Sequence, residues 1–330
     1  MTPDLDRASP PAIEALTGAA RPLWSVMVPT YNCARQAGEA LASVVAQAPA
    51  VERMEIVVVD DASDDDIEAV VSRFGARVRL HRQPHNLGVP GNLTAAIRLS
   101  RGHLIHILHG DDVVEPGFYA AMERAFANEE AGAAFCRYRY IDAQGAETGV
   151  GPLEMDDMGQ LPDALQRLAG EQRIMTPSIC VRREVYERLG GFHPLLRCAE
   201  DWEMWVRIAR HYPIIYIPEI LARYRMQPVS NTGRNVREAR DADYNRIAID
   251  LIHRHLPAGI ADRVTSRARR TYAYSALGNA RMFARQRDVR ASLAQFRAAF
   301  RLSRSPAVWF GGIGAFAEIV RALVFRKKPA

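Results

Sequence analysis

Lysine is nearly absent from this chain of 330 residues. No lysine precedes Lys327, and arginine supplies almost all of the 43 basic side chains. No glycine-rich loop follows the first apolar segment either, which excludes a P-loop or a dinucleotide-binding loop. The cysteines are too few and too scattered for a disulfide scaffold and form no CxxC pair, so a zinc module is not indicated; they are Cys33, Cys136, Cys180 and Cys198.

The first 22 residues lack an apolar stretch and contain Asp4, Asp6 and Glu14 among several prolines. A secretory signal needs such a stretch, so no signal is indicated. Because residues 1–22 are polar and rich in proline and alanine, they are predicted to form a flexible N-terminal arm. The scarcity of cysteine favours a reduced, cytoplasmic compartment. The composition as a whole, 48% hydrophobic and 25% charged, is that of a globular protein with ample material for a core.

Charge is distributed unevenly along the chain. Residues 251–330 contain 16 basic and 3 acidic side chains, whereas residues 1–250 contain 27 and 35. A basic region attached to an acidic one indicates an anionic partner. Nucleic acid is disfavoured because no module that combines basic and aromatic residues is recognisable. The predicted partner of the basic region is therefore an anionic membrane surface, and not nucleic acid.

The last apolar segment, Pro306–Phe325, has 20 residues, the length that an α-helix needs to cross a bilayer. It contains Glu318 and Arg321, and each charge costs about 2.5–3.5 kcal/mol near the bilayer centre. We therefore predict a helix that lies in the headgroup region at the inner face of the cell membrane. The alternative is a helical cap packed on the rest of the protein.

Short apolar segments alternate with amphipathic ones in the first third of the chain. This alternation is typical of βαβ units and predicts an α/β fold with a Rossmann-like, mostly parallel sheet. Residues 235–325 are predicted to be wholly helical, with one apolar stripe formed by Val289, Leu293, Phe296 and Phe300. The predicted strands are Trp24–Val28, Glu55–Val59, Val78–His81 and Leu104–Leu108; the predicted helices are Ala34–Gln47, one capped by Ser63 or Asp64 that ends near Phe74, and Leu93–Leu99.

Polar clusters follow three of these strands, at Pro29–Asn32, Asp60–Ser63 and Gly110–Asp112. In a doubly wound sheet the carboxyl ends of the strands meet at one edge, which is where ligands bind. Three polar clusters at equivalent strand ends therefore indicate a binding site.

Each cluster has two interpretations. Asp111 and Asp112 suit a hard cation such as Mg²⁺ or Mn²⁺, but carboxylates after a strand also cap the next helix. Asp61 can accept an N–H from a nucleobase beside the flat ring of Tyr31, or can serve as a cap itself. The residues alone leave both pairs of alternatives open.

A fourth polar cluster lies at Ala199–Arg207. Glu203 and Arg207 are spaced as an i, i+4 ion pair, which needs no functional explanation. Glu200 and Asp201 begin the predicted helix, where they either interact with the helix dipole or supply a general base.

These motifs, in this order and spacing, resemble the inverting glycosyltransferases of the family 2 type, which have the GT-A fold. The resemblance runs from about Trp24 to Ser230. It rests on the segments Val28–Asn32, Val58–Asp64, Asn86–Gly88 with Gly91–Asn92, Leu108–Asp112, Gly190–Phe192 and Glu200–Arg207.

The resemblance implies a role for each matched residue. Asp201 is implied as the catalytic base with Glu200 in support, and Asp112 as the ligand of Mn²⁺ or Mg²⁺. The residues implied for the nucleotide-sugar donor are Pro29, Tyr31, Asp61, Asp111 and Arg225, with Asn32 and Asn92 in support.

Three features depart from the family pattern: one is the segment Val89–Gly91, which lacks the arginine often found before Asn92, and the other two affect the implied ligands. His109 replaces the first acid of the fuller D-x-D-D motif, which leaves metal ligation to Asp112. Gln227 stands where many relatives have a histidine near the diphosphate, so Arg225 becomes the implied diphosphate contact.

The expected protein is thus a metal-dependent inverting glycosyltransferase. Its donor is a nucleotide-diphosphate sugar and its acceptor a glycan or a lipid-linked hydroxyl, as in cell-surface polysaccharide or glycolipid biosynthesis. Two alternatives are a non-catalytic assembly or binding protein on a GT-A scaffold and a sugar nucleotidyltransferase. The expected domains are the arm at 1–22, a GT-A domain at 23–233 and a basic helical region at 234–330.

Overall fold

The computed structural model describes residue 5 and residues 8–17, 20–227 and 231–324. Two compact units are formed, the first from Met1–Leu165 with Gln172–Met226 and the second from Gln166–Glu171 with Gln227–Ala330. All described strands belong to the first unit. The first unit ends at Met226, and the domain boundary expected at residue 233 stays a prediction.

One ten-stranded sheet forms the centre of the first unit. Its main path has the order β3-β2-β1-β4-β9-β6-β10-β5, while β7 pairs with β6 and β8 pairs with β10. The strands are β1 (Trp24–Thr30), β2 (Met54–Asp60), β3 (Arg79–Arg82), β4 (Leu104–Ile107), β5 (Val113–Val114), β6 (Ala133–Ile141), β7 (Glu147–Val150), β8 (Gly159–Gln160), β9 (Ile179–Arg182) and β10 (Ile214–Arg225).

The sheet is mixed. β1 pairs in parallel with β2 and β4, and β2 with β3, as the sequence predicts. β9 runs antiparallel between β4 and β6, whereas β6 and β10 are parallel. The direction of β9 depends on pairing between segments far apart in the chain, which a local alternation of strands and helices does not encode.

The helices between residues 34 and 211 are α1 (Ala34–Val45), α2 (Ile67–Ser72), α3 (Gly88–Leu99), α4 (Phe118–Ala125), α5 (Ala164–Gly170), α6 (Arg183–Leu189) and α7 (Glu200–His211). The predicted cap of α2 is wrong. Asp66 caps this helix by accepting the Ala69 N–H at 3.0 Å. The Ser63 hydroxyl instead donates to the Asp60 carboxylate, because a short polar side chain can bond locally to another partner.

Burial on both faces explains the uninterrupted apolar strands. All seven residues of β1 and all seven of β2 are buried, and the Trp24 and Met54 side chains have no exposed surface. Each square ångström of apolar surface removed from water stabilises the folded state by about 25 cal/mol. The burial of these two strands therefore contributes to the stability of the core. They hold rigidly the loops that follow them.

Part of the expected N-terminal arm packs against other residues of the first unit. Ile13 is 4% exposed, and the carbonyl of Pro11 accepts the Gly191 N–H at 2.8 Å. A Cβ on Gly190 would lie 2.9 Å from the same carbonyl oxygen. The glycine pair before α7 thus permits this close approach of two backbones.

The second unit is helical. Its core is rich in alanine, which lets helices approach closely; buried members are Ala273, Ala276, Ala298 and Ala299. The second unit includes most of α5, from residue 166 onward. Its other helices are α8 (Asn231–Glu238), α9 (Arg240–His255), α10 (Ala258–Arg285), α11 (Val289–Leu302) and α12 (Pro306–Val324).

The apolar stripe predicted on α11 is only partly buried. Its four members, Val289, Leu293, Phe296 and Phe300, are of intermediate exposure. The most buried positions of α11 are small or polar instead, including Ala291, Ala298 and Ser292. Close packing against α10 selects small side chains, whereas the bulky Phe296 and Phe300 contact Phe316 and Trp309 of α12.

Among the residues that the structure describes, no helix is both long and apolar enough to cross a membrane. The sequence predicts that the segment Pro306–Phe325 does not span a membrane. This segment forms α12, except for Phe325, which lies outside the described residues.

Candidate functional site

The loops after β1 and β4 meet at the carboxyl edge of the sheet. The Gly110 N–H donates to the Pro29 carbonyl at 3.0 Å. A Cβ on Gly110 would lie 2.6 Å from Thr30 Cγ2 and 2.8 Å from Cys33 Sγ. Only glycine fits this contact without a shift of its neighbours. Gly110 therefore sets how closely the acidic turn approaches the end of β1.

Asp112 is the most deeply buried acid of that turn, at 1% exposure. Its Oδ1 accepts the Arg225 backbone N–H at 2.8 Å, and its Oδ2 has no hydrogen-bond partner within the described structure. Burial raises the pKa of this carboxyl well above its usual range, and the negative charge of Asp111 adds to the effect. A buried carboxylate oxygen without a partner has the capacity to bind a cation.

His109 lies beside the two acids. Ligand atoms of His109, Asp111 and Asp112 all lie within 4.8 Å of one another. Burial lowers the pKa of His109, which keeps the imidazole neutral. A neutral imidazole and two carboxylates are suitable donors for a divalent cation, so these residues fit a metal ion.

The loop after β1 presents Tyr31 to solvent. Tyr31 is 45% exposed, although it follows a fully buried strand. Asn32 has a positive φ of 52°, its N–H donates to Ser63 Oγ at 2.9 Å, and its Oδ1 accepts the Asp64 N–H at 2.8 Å. Asn32 thereby locks the turn that leaves the Tyr31 ring accessible for stacking.

Asp61 holds the segment that begins α3. Its two carboxylate oxygens accept the N–H groups of Leu87 at 2.7 Å and Gly88 at 3.0 Å. Burial raises the pKa of Asp61, and these two hydrogen bonds act in the opposite direction. Asn92 is also internal, donating to the Val59 carbonyl at 2.9 Å. Both residues therefore shape the loop, and a contact of Asp61 with a nucleobase stays a prediction.

The Arg225 side chain is held by protein acceptors. It donates to Glu39 at 2.6 Å, to the carbonyl of Asp111 at 2.8 Å and to the carbonyl of Asp142 at 3.2 Å. Arg225 is 4% exposed. These contacts fix the backbone of the acidic turn, and the predicted contact with a diphosphate stays a prediction.

The residue just before the acid pair of α7 has a strained backbone. Ala199 has a positive φ of 64°, a conformation that residues other than glycine rarely adopt. Asp201 Oδ2 accepts hydrogen bonds from Gln172 at 2.7 Å and Thr176 at 3.3 Å. The Thr176 segment is connected to β4, because the Pro177 carbonyl lies 3.1 Å from His106 Nε2.

Burial raises the pKa of both acids of this pair, and it raises that of Glu200 further. Burial raises the pKa of Asp201 to about 6, while hydrogen bonds from Trp202 N–H, Thr176 and Gln172 limit the rise. Burial, with the nearby charge of Asp201, raises the pKa of Glu200 to about 8. Glu200 Oε2 has no hydrogen-bond partner among the described residues. At neutral pH the pair thus consists of an ionised Asp201 and a protonated Glu200, an arrangement suited to a proton acceptor.

Sequence reasoning missed several residues of this site. Glu39, Gln172 and Thr176 lie outside the motifs and reach them only through the fold. The motifs mark His109 only as a substitution of an acid. One sequence signal indicates that His109 lies near the predicted metal ligand. It stands three residues before Asp112, in a turn after a buried strand.

Comparison with known proteins agrees with this geometry. Residues 25–190 match the family model described as Glycosyl transferase family 2. An uncharacterized protein of Mycobacterium tuberculosis is 30% identical over 246 residues, which cover 71% of this chain and 76% of that protein. An uncharacterized glycosyltransferase of Rickettsia prowazekii is 26% identical over 221 residues, covering 64% of this chain and 66% of the relative.

Solved structures share the fold. The structure of S. aureus TarS 1-349 in complex with UDP-GlcNAc has a TM-score of 0.63 at 16% identity, covering 91% of this chain and 81% of the other. The mannosyltransferase PcManGT from Pyrobaculum calidifontis, in complex with GDP-Man and Mn²⁺, has a TM-score of 0.57 at 22% identity, covering 96% and 91%. The mixed sheet with flanking helices is therefore the GT-A fold, which confirms the predicted fold class, including the additional helices of the C-terminal region.

Proposed function

Since this chain belongs to glycosyl transferase family 2, we propose that it transfers a sugar, with inversion, from a nucleotide-diphosphate sugar to an acceptor hydroxyl. The observation that carries the proposal is Asp112 Oδ2, a buried oxygen without a partner in the described structure, beside Asp111 and His109. The acid pair of Glu200 and Asp201 supplies the second requirement, a proton acceptor.

The donor is proposed to lie on the carboxyl edge of the sheet. The exposed ring of Tyr31 stacks on the nucleobase, with Pro29 and Asn32 fixing the turn beneath it. Asp61 accepts from the edge of the base while it holds the start of α3. Asp111 contacts the sugar or the ribose. Arg225 contacts the diphosphate, and Asn92 supports the base-binding segment.

Asp112 is proposed to hold Mn²⁺ or Mg²⁺, and Asp111 neighbours it. A bound divalent cation would supply Lewis-acid stabilisation of the negative charge that develops on the leaving diphosphate. The Asp112 side chain is oriented for this task by the Arg225 N–H, which fixes Oδ1 and leaves Oδ2 available.

Asp201 is proposed as the general base. As the acceptor oxygen attacks the anomeric carbon, its proton passes to Asp201, and the bond between that carbon and the diphosphate oxygen breaks. Attack opposite to the leaving group inverts the configuration. Glu200, protonated at neutral pH, adds no second negative charge beside the base.

The test is a donor panel. UDP, GDP and dTDP sugars are incubated with Mn²⁺ and candidate acceptors, and released nucleoside diphosphate is measured. Wild-type protein should release it, Asp112→Ala and wild type in EDTA should not, and proton NMR of the product should show inversion. Pyrophosphate exchange would indicate a nucleotidyltransferase instead. Full activity in EDTA, or no turnover and no nucleotide binding, would contradict the proposal.

We further propose that α12 docks on an anionic membrane at the cytoplasmic face, where a lipid-linked acceptor would reside. One face of α12 is exposed and apolar, with Phe310 74% and Ile313 65% exposed. Three further exposed side chains on this helix are Trp309, Phe316 and Val320. Exposed aromatics of this kind suit the headgroup boundary.

Charge complementarity supports a membrane as the occupant. Residues 251–330 contain 16 basic and 3 acidic side chains. Glu318, one of the charges that opposes insertion, forms an ion pair with Arg285 at 2.8 Å. Arginines near an anionic surface contribute about 1 kcal/mol each.

Co-sedimentation with vesicles tests this docking. The protein should pellet with phosphatidylglycerol-containing vesicles, less so in high salt, and poorly with phosphatidylcholine alone. The double variant Phe310→Ser/Ile313→Ser should lose binding, whereas Met282→Ser, which changes an exposed methionine of α10, should retain it. Equal sedimentation of the double variant and wild type would show that α12 is not the docking face.

A further inference from the structure

Two buried side-chain atoms of the acidic turn lack hydrogen-bond partners. They are Oδ2 of Asp112 and Nε2 of His109, and neither has a hydrogen-bond partner in the described part of the chain. A buried polar atom without a partner is rare in proteins and calls for a ligand or an explanation. Since both side chains belong to one turn, an ion bound between them would give the Asp112 oxygen a partner.

The spacing of the two side chains suits a shared cation. His109 Nδ1 lies 3.9 Å from Asp112 Oδ2, which is too long for a hydrogen bond. Two atoms that each lie about 2.1 Å from one ion are separated by about 3.0 Å when adjacent and about 4.2 Å when opposite. The observed separation falls between these limits, so little movement is needed for both to reach one ion.

The turn itself holds these side chains together. The Asp112 N–H donates to the His109 carbonyl at 3.0 Å, which closes the turn. Gly110, inside it, is wedged against Thr30 and Cys33, where a Cβ would not fit. His109 is therefore placed by the same contacts that place Asp112.

We infer that His109 is a second protein ligand of the divalent cation, binding it through an imidazole nitrogen beside the carboxylate of Asp112. This inference rests on the proposed metal-assisted transfer and assigns a role to the residue that replaces an acid of the family motif. An imidazole ligand favours a transition metal such as Mn²⁺ over Mg²⁺. A site made only of oxygen ligands suits Mg²⁺ as well as Mn²⁺. The site should therefore prefer Mn²⁺ to Mg²⁺.

Electron spin echo envelope modulation tests the inference directly. Mn²⁺ is added to the full chain with UDP or GDP, whichever stabilises the protein more in a thermal-shift assay. A nitrogen bound to Mn²⁺ gives a ¹⁴N modulation, which nucleotide phosphates do not. Wild type should show it, and His109→Asp should bind Mn²⁺ without it. The ratio of Mg²⁺ to Mn²⁺ dissociation constants should fall roughly tenfold in His109→Asp.

Control variants separate the possible failures. His103→Asn changes an exposed histidine before β4, at the opposite end of that strand, and should retain the modulation. Asp112→Ala should abolish Mn²⁺ binding. Bound Mn²⁺ without ¹⁴N modulation in wild type would overturn the role of His109 and leave the proposed function standing. No Mn²⁺ binding at all would overturn both.

Discussion

Both edges of the parallel part of the sheet bury carboxylates, but they pair them differently. At the amino edge Glu55, 7% exposed, accepts from the Ser25 hydroxyl and from the Arg101 backbone N–H, and forms an ion pair with Arg79 at 2.7 Å. At the carboxyl edge Asp112, 1% exposed, has a hydrogen-bond partner on only one of its oxygens in the described structure.

The difference separates stability from function. A buried carboxylate with its acceptors filled holds strands together, because its desolvation is offset by hydrogen bonds and ion pairs. A buried carboxylate with an unfilled oxygen costs stability and retains the capacity to bind a ligand. Glu200, whose Oε2 also lacks a partner among the described residues, belongs to the second group.

The largest expected effect is on turnover. Asp201→Asn keeps the size of the side chain and removes the proton acceptor, so kcat should fall by roughly 10²–10⁴. Donor affinity, measured by calorimetry, should hardly change. Glu200→Gln is the matched control and should be mild, because the protonated acid is already neutral at pH 7. A severe Glu200→Gln with a mild Asp201→Asn would reverse the assignment.

The next effect is on stability and compares the two edges directly. Glu55→Gln should lose about 1–3 kcal/mol of unfolding free energy, because the Ser25 hydroxyl and the Arg101 N–H lose a charged acceptor. Its turnover per folded molecule should be unchanged. Asp112→Asn should show the opposite pattern, with turnover lost.

Removal of the Asp112 carboxyl should also change how stability depends on pH. The folded pKa of Asp112 lies well above its usual value, so the folded state binds the proton more tightly than the unfolded state does. Without metal, wild type should therefore lose stability as pH rises above about 4, relative to Asp112→Asn. Chemical unfolding in EDTA at several pH values measures this. A wild type that gains stability over the same range would contradict it.

A smaller effect concerns the pH profile of activity. kcat/KM should rise with pH through about 6, as Asp201 ionises. Thr176→Val removes one hydrogen bond that favours the carboxylate, so the midpoint should move upward by up to about one pH unit. Ser178→Ala is the control, because the Ser178 hydroxyl donates to the Met175 carbonyl and not to Asp201. An unmoved midpoint in Thr176→Val would remove Thr176 from the site.

The smallest effect concerns backbone strain. Ala199→Gly should raise the unfolding free energy by about 1 kcal/mol at most, since glycine adopts the positive φ at this position readily. Thermal unfolding compares it with Ala37→Gly, inside α1, which should be destabilised. Destabilisation of both to the same extent would show that Ala199 is not strained.

Local sequence patterns predict some features of the two sheet edges and miss others. Local patterns predicted β1, β2 and β4, because strands buried on both faces read as uninterrupted apolar runs. They also predicted the polar clusters at the strand ends. They missed the cap of α2, since Asp66 and Ser63 are equally good capping residues in isolation and only their neighbours decide between them.

The family, the parallel part of the sheet and the acids at its carboxyl edge can be read from the amino-acid sequence, since they depend on residue type and local spacing. Which of those acids keeps an oxygen without a hydrogen-bond partner depends on the three-dimensional fold. Asp61 and Asp112 are both buried acids after a strand, yet backbone N–H groups reach both oxygens of Asp61 and only one of Asp112. Those donors come from residues 87–88 and from residue 225, and long-range packing, which no local pattern encodes, brings them there.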